Sequence, residues 1–200
     1  MPTPDDALIE GLATRGHAVV REAVPGAVVA GLRDRARALD AAGAFAAAGV
    51  GRAGGRTERS DVRGDRIAWL PDVADDASER AASQWLDTLR VRCNRDLILG
   101  LEDVEAHYAI YPPGARYARH RDRFRDDDAR VLSCVLYLND RWTAADGGAL
   151  RLYVRDGTID VMPEAGTFVA FLAAEFEHEV LPARRERTAV AGWFRRRVLV

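Results

Sequence analysis

The hydrophobic period of this chain changes near its midpoint, from about 3.6 residues to 2, and no other feature restricts the fold as much. After residue 100, seven short segments follow one another: "EAHYAIYPPG", "RVLSCVLYLND", "GGALRLYV", "TIDVMP", "GTFVAF", "HEVLP" and "RTAVAGWFRRRV". They are rich in β-branched and aromatic residues and are punctuated by Pro-Gly, Asn-Asp and Gly-Gly, the pattern of strands separated by tight turns. Several short strands in succession predict an antiparallel sandwich or barrel.

The first hundred residues read mainly as helix. "DDALIEGLATRG" opens with a capping-type aspartate and carries Leu8, Ile9 and Leu12 at helical spacing before Gly16. "HAVVREAV" alternates as a strand does. "PGAVVAGLRDRARALDAAGAF" starts from Pro25 and lines up Val28, Val29, Leu32, Ala36 and Leu39 on one face, and "DASERAASQWLDTLRVRCNRDLIL" predicts a third helix. "GVGRAGGRTERSDVRGDR" holds five glycines among many charges, so residues 49–62 are expected to form a long mobile surface loop. A sheet of this size can use the preceding helices to cover its outer face, so the expectation is one α+β domain over residues 1–200, with helical support in 1–100 and a β core in 101–200.

Composition narrows the function classes. With 200 residues and 48% hydrophobic content the chain can bury a substantial core, and a net charge of -2 gives no reason to expect nucleic acid or an anionic membrane as partner. Only Cys93 and Cys134 are present, both in apolar segments, which suits buried thiols and a reducing cytoplasm. The amino terminus lacks the pattern of a secretion signal, and no stretch approaches the roughly 18 apolar residues of a membrane helix. The expected location is therefore cytoplasmic.

The chemistry concentrates in "YARHRDRF". On an extended chain, side chains two apart share a face, so His120 and Asp122 can point at one ion. A third ligand from a distant strand would complete the two-histidine, one-carboxylate facial set that leaves open positions on non-haem Fe(II), and His178 at the start of "HEVLP" is the natural candidate. Nine residues beyond it, Arg187 shares a strand face with Ala189, Ala191 and Trp193, the small residues making room beside the guanidinium. An inward arginine in a barrel is costly unless it meets an anion, and a bidentate clamp on a carboxylate would supply that partner.

With these residues in place, the chain resembles the Fe(II)- and 2-oxoglutarate-dependent dioxygenases, in particular the prolyl hydroxylases of the hypoxia-sensing type and their bacterial relatives. The matching stretches, in order, are "VRGDRIAWL", "YPPGARYARHRD", "LSCVLYLND", "DGGALRLY", "HEVLP" and "RTAVAGWF", spanning roughly residues 61–195. The resemblance implies a double-stranded β-helix (jelly-roll) core with the N-terminal helices packed on the outer face of the sheet. It implies that His120, Asp122 and His178 are the catalytic iron ligands and that Arg187 pairs with the far carboxylate of 2-oxoglutarate. Tyr137 would hydrogen-bond the same carboxylate, and Tyr111 and Leu150 would line the cosubstrate pocket; Trp193 also matches. Fe(II), 2-oxoglutarate and dioxygen are the implied cofactors and cosubstrates, and the resemblance leaves room for ascorbate as well.

The expected reaction is hydroxylation of a prolyl residue on a loop of a folded protein, with the translation factor EF-Tu as leading candidate and residues 49–62 folding over the bound chain. Alternatives are free proline or another small molecule as substrate, or a non-catalytic cupin-like metal-binding module, which would leave Arg187 without a ligand. A nucleic-acid substrate would call for a basic groove with stacking aromatics, at which only the "RYARHRDRFR" and "RRER" clusters hint. Asp65 and Arg130 are expected to pair at the mouth of the site.

Overall fold

The structure, a computed structural model, describes residues 3–49, 62–123 and 129–197. Residues 50–61 of the expected mobile loop lie outside the described residues.

Helix α1 (Pro4–Arg15) starts one residue before the aspartates that the sequence suggested as its cap. The Thr3 side chain accepts from the Asp6 amide, and Asp6 accepts from the Thr3 amide, so two amide donors at the helix start are satisfied reciprocally. Gly16, at φ 72°, closes the helix and turns the chain into β1 (His17–Val20). Helix α2 (Gly26–Ala41) begins behind Pro25, and β2 (Ala46–Ala47) and β3 (Arg66–Trp69) follow. Helix α3 (Ala77–Leu97) is capped by Asp76, whose carboxylate accepts from the Ser78 and Glu79 amides at 2.8 and 3.0 Å. The described second half is mainly β, with one 3-10 turn at Ala144–Asp146: β4 (Asp103–Tyr111), β5 (Tyr117–His120), β6 (Arg130–Tyr137), β7 (Leu150–Val154), β8 (Gly157–Val161), β9 (Phe168–Leu172), β10 (Glu177–Val180) and β11 (Arg187–Arg195).

Among the described residues the strands form two antiparallel sheets, one of seven strands in the order β1-β9-β6-β11-β4-β3-β2 and one of four in the order β5-β10-β7-β8. The expected jelly-roll sandwich is thus present. The described part of the first half also contributes three strands to the larger sheet where the sequence suggested one.

Strand alternation divides the core in two. On β6, Leu132, Cys134 and Leu136 pack with Leu8, Leu32 and Leu89 of the helices on the outer face. Their neighbours Val135 and Tyr137 join Leu150, Leu152 and Phe171 between the sheets. A buried polar contact ties the helices down as well. Glu79 on α3, 1% exposed, accepts from Arg35 Nε of α2 at 3.2 Å and from the Tyr108 hydroxyl of β4 at 3.1 Å. Both cysteines are free and buried, and burial pushes the Cys93 thiol up to about 12, which makes it an inert core residue. None of the described helices is long and apolar enough to cross a membrane.

Candidate active site

The site lies between the sheets. Pairing of β5 with β10 sets His120 directly opposite His178, with ring centroids 4.2 Å apart. Asp122 sits in the bend just after β5 and turns its carboxylate between the two rings: His120 Nε2 lies 3.4 Å from Oδ1 and His178 Nε2 lies 3.6 Å from Oδ2. One ligand atom from each of the three residues falls within 4.8 Å of the others, so they could hold a metal ion.

The surroundings prepare these groups as ligands. The Nδ1 of His120 faces the Ala118 carbonyl at 2.7 Å and that of His178 faces the Phe176 carbonyl at 3.5 Å. With the proton on Nδ1, each ring donates to its carbonyl and keeps the Nε2 lone pair for the centre. Burial pushes the His178 imidazole down to about 4, with the nearby His120 acting in the same sense and Asp122 opposing, so His178 is neutral at physiological pH. Burial alone would raise the Asp122 carboxyl. The adjacent His178 and His120, and the Ser133 hydroxyl that donates to Oδ2 at 2.7 Å, reverse this and hold it well below the usual carboxylate range. A neutral imidazole and an ionised carboxylate are the states that metal binding requires.

The second half of the pocket is built by β11 and its neighbours. Arg187, 2% exposed, starts β11 opposite Tyr111, and its Nε donates to the Gly148 carbonyl at 3.0 Å. Its Cζ is 5.1 Å from the Tyr111 ring and 5.0 Å from the Tyr137 ring. Among the described residues no carboxylate pairs with this guanidinium, and the Tyr137 hydroxyl, wholly buried, has no hydrogen-bond partner. A buried cation and an unsatisfied hydroxyl side by side fit a carboxylate ligand, which would answer both. Leu150 and Tyr111 line the same pocket, as do Ala189, Ala191 and Trp193 on the β11 face that the sequence indicated. Tyr137 adjoins Arg187 without being among the residues that line this pocket.

Several contributors escaped the sequence reading. Ser133 shares the strand face of Val135 and Tyr137, and that parity was a sufficient signal to place it at the centre. Gly148, at φ 71°, lets the chain present its carbonyl to Arg187, and a Cβ there would lie 2.8 Å from Ala183 Cβ. His107 also lines the pocket, its ring between those of Trp69 and Trp193 at 5.0 and 5.3 Å.

One expectation fails. Asp65 does not pair with Arg130: both of its oxygens are taken by Arg63, from Nε at 2.7 Å and from a terminal nitrogen at 2.9 Å. Arg63 lies on the same side of the chain two residues earlier and reaches Asp65 without a loop crossing. Arg130 instead sits over the Trp193 ring, 3.5 Å from its centroid, and reaches Glu105 at 3.3 Å.

Comparison with known proteins agrees with this geometry. Residues 106–195 match the model of the 2OG-Fe(II) oxygenase superfamily. The hypoxia-inducible factor prolyl hydroxylase of Caenorhabditis elegans is 33% identical over 147 residues, covering 67% of this chain and 20% of that protein. Human Egl nine homolog 1 is 31% identical over 144 residues, covering 67% and 33%. The chain therefore spans a fifth to a third of the length of these curated relatives. Among solved structures, a prolyl-4-hydroxylase from Pseudomonas putida superposes with a TM-score of 0.88 at 44% identity, covering 97% of this chain and all of that one. A prolyl hydroxylase from Trichoplax adhaerens, in complex with a peptide fragment of the hypoxia inducible factor oxygen degradation domain, gives 0.86 at 25% identity over 96% and 88%. A pocket that combines two histidines and an aspartate with a buried, carboxylate-seeking arginine, on a fold and a sequence shared with these enzymes, places the chain in the Fe(II)- and 2-oxoglutarate-dependent oxygenase family, in its prolyl hydroxylase branch.

Proposed function

We propose that this protein hydroxylates a prolyl residue presented by another protein, with Fe(II) held by His120, Asp122 and His178 and 2-oxoglutarate held by Arg187 and Tyr137. The observation that carries the reading is Arg187. A metal-binding module without a cosubstrate would leave a buried guanidinium with no counter-charge, whereas the carboxylate of a bound 2-oxoglutarate would neutralise it. Iron, 2-oxoglutarate and dioxygen would together supply the oxidising chemistry: 2-oxoglutarate loses carbon dioxide and takes one oxygen atom of dioxygen to become succinate, and the other oxygen atom goes to the substrate.

The chain's own residues do the rest. His120 and His178 offer Nε2 because Ala118 and Phe176 hold their Nδ1 protons. Asp122 brings the negative charge, oriented by Ser133. Arg187 is aimed by the Gly148 carbonyl, which leaves its terminal nitrogens for a bidentate grip, and the Tyr137 hydroxyl donates to the same carboxylate. Tyr111 and Leu150 form an apolar wall that excludes water from the cosubstrate.

A protein substrate is supported by the Trichoplax relative, which was solved with a peptide fragment bound. By the resemblance noted above, EF-Tu is the leading candidate among substrates. The test is to incubate the enzyme with Fe(II), 2-oxoglutarate and oxygen, together with EF-Tu, its excised loop peptides or free proline, and to map a 16-dalton gain by mass spectrometry. The expected outcome is one hydroxylated prolyl residue in folded EF-Tu, lost in an Asp122→Ala variant. Efficient hydroxylation of free proline with EF-Tu inert would establish the small-molecule reading instead.

A further inference from the structure

Three residues upstream of the sheet pair, Val62, Arg63 and Gly64, run beside β5 as an added edge. The Ala118 amide donates to the Val62 carbonyl at 2.8 Å, the Gly64 amide donates to the Arg116 carbonyl at 3.0 Å, and Arg63 bridges to Tyr117. This edge meets His120 by two routes. Through the backbone it fixes Ala118, whose carbonyl holds the His120 Nδ1 at 2.7 Å. Through the side chains it builds a stack: the Arg63 guanidinium lies 4.7 Å from the centroid of Tyr117, and the Tyr117 ring lies 3.6 Å from that of His120, with 18° between the planes.

The ion pair below the stack costs the fold something. The side chains of Arg63 and Asp65 are 10% and 0% exposed, and desolvating two charges commonly offsets what their attraction returns. What the pair does achieve is geometric. Its two hydrogen bonds remove the rotational freedom of a long side chain, so the guanidinium stays over the Tyr117 ring, with Cζ 4.7 Å from the centroid. A cation over an aromatic face is attracted to it, and a ring that meets both the cation and an imidazole cannot turn without disturbing both contacts. The side chain of His120 is about a sixth exposed, the most of the three candidate ligand residues, so burial alone constrains its ring least.

We propose that Arg63, locked by Asp65, is a positioning residue for the metal centre: through Tyr117 it fixes the plane of the His120 imidazole and so the direction of its Nε2 lone pair. Removing the cation frees the Tyr117 ring, and the His120 ring then samples orientations that miss the ion. Partners of ligating histidines typically change metal affinity by about 10- to 100-fold when removed. The lower end applies here because Ala118 still holds Nδ1.

The test uses Mn(II), which binds without turnover, titrated into the anaerobic 200-residue protein with free Mn(II) read by electron paramagnetic resonance. Arg63→Met keeps the volume and removes the charge, and its Mn(II) Kd is expected to rise about tenfold, equivalent to about 1.4 kcal/mol. Tyr117→Leu should show a similar rise. Tyr117→Phe keeps the stacked ring and should bind Mn(II) like the parent, a rescue that a role in holding the fold through the phenol hydroxyl would not give. Asp65→Asn, which unlocks the guanidinium but leaves its charge, should fall between parent and Arg63→Met. Parental Mn(II) affinity in both Arg63→Met and Tyr117→Leu would overturn the proposal. So would equal loss in Tyr117→Phe and Tyr117→Leu. If Arg63→Met proves too unstable to titrate, the Tyr117 pair decides alone, and none of these readings depends on which substrate the enzyme hydroxylates.

Discussion

Arg187 is the residue whose surroundings make the strongest demand. It is buried, aimed by a single backbone carbonyl, and flanked by two tyrosine rings that offer its charge faces but no full counter-ion. Arg187→Lys keeps the charge while losing the fork and the Nε donor that meets Gly148. The KM for 2-oxoglutarate is expected to rise about tenfold or more, roughly 1.4 kcal/mol where KM follows affinity, with little change in metal binding. Steady-state succinate formation checks this, and an unchanged KM would move the carboxylate site elsewhere. At this scale most of the centre was legible in the sequence. A histidine and an aspartate two apart, a later histidine and an arginine flanked by alanines announce themselves through residue type and strand parity. Asp65 was not legible in the same way. Its neighbours are charged, and charge alone reads as solvated surface; only the position of Arg63, two residues away and able to take both oxygens, turns that surface reading into a buried pair.

Among the elements, the long strands were legible and the short ones were not. β4, β6 and β11 carry eight or nine residues each, enough for alternation to separate a helix-facing row from a site-facing row. β3 has four residues, "RIAW", with adjacent Ile67 and Ala68 both buried, so it shows no period, and its partner β4 lies some forty residues on, the separation of Ile67 from Ala109. The helices were legible from their apolar faces, but the contact between α2 and α3 was not, since it depends on a glycine. A Cβ at Gly31 would lie 1.9 Å from Ser78 Oγ and 2.8 Å from Ser78 Cβ. The hydroxyl can rotate away, but the Cβ can move only with the backbone of α3. In an open helix position Gly→Ala stabilises by about 1 kcal/mol. Here the overpacking cost of about 1–3 kcal/mol exceeds that gain, so Gly31→Ala is expected to lower Tm by a few degrees. Adding Ser78→Gly should restore most of the difference by removing the opposing Cβ, and a Gly31→Ala protein more stable than the parent would show that the two helices separate at little cost.

The whole molecule is organised around the seven-stranded sheet, which carries an apolar core against the helices on one face and the site on the other. The first core can supply stability without regard to function. The second contains Asp122 and Arg187, two groups that burial makes costly while their ligands are absent. Ligands that bind the folded state alone should therefore raise stability strongly, because binding adds its own free energy and also answers charges that the unfolded chain leaves to water. At concentrations of Mn(II) and 2-oxoglutarate near 100 times their Kd, each ligand adds about 2.7 kcal/mol, which for a chain of this size is roughly 5–10 °C in Tm. The two contributions should be separable along the pocket. His178→Ala should abolish the shift given by Mn(II), together with most of the shift given by 2-oxoglutarate, whose keto acid end depends on the metal. Arg187→Ala should retain the Mn(II) shift and lose the increment from 2-oxoglutarate, because the metal ligands stand on β5, the following bend and β10, while Arg187 stands on β11 of the opposite sheet. Anaerobic differential scanning calorimetry with each ligand alone and both together reads these increments directly. A 2-oxoglutarate increment of parental size in Arg187→Ala would mean that the dicarboxylate does not bridge the two sheets, and that the sandwich holds a metal centre without the clamp placed opposite it.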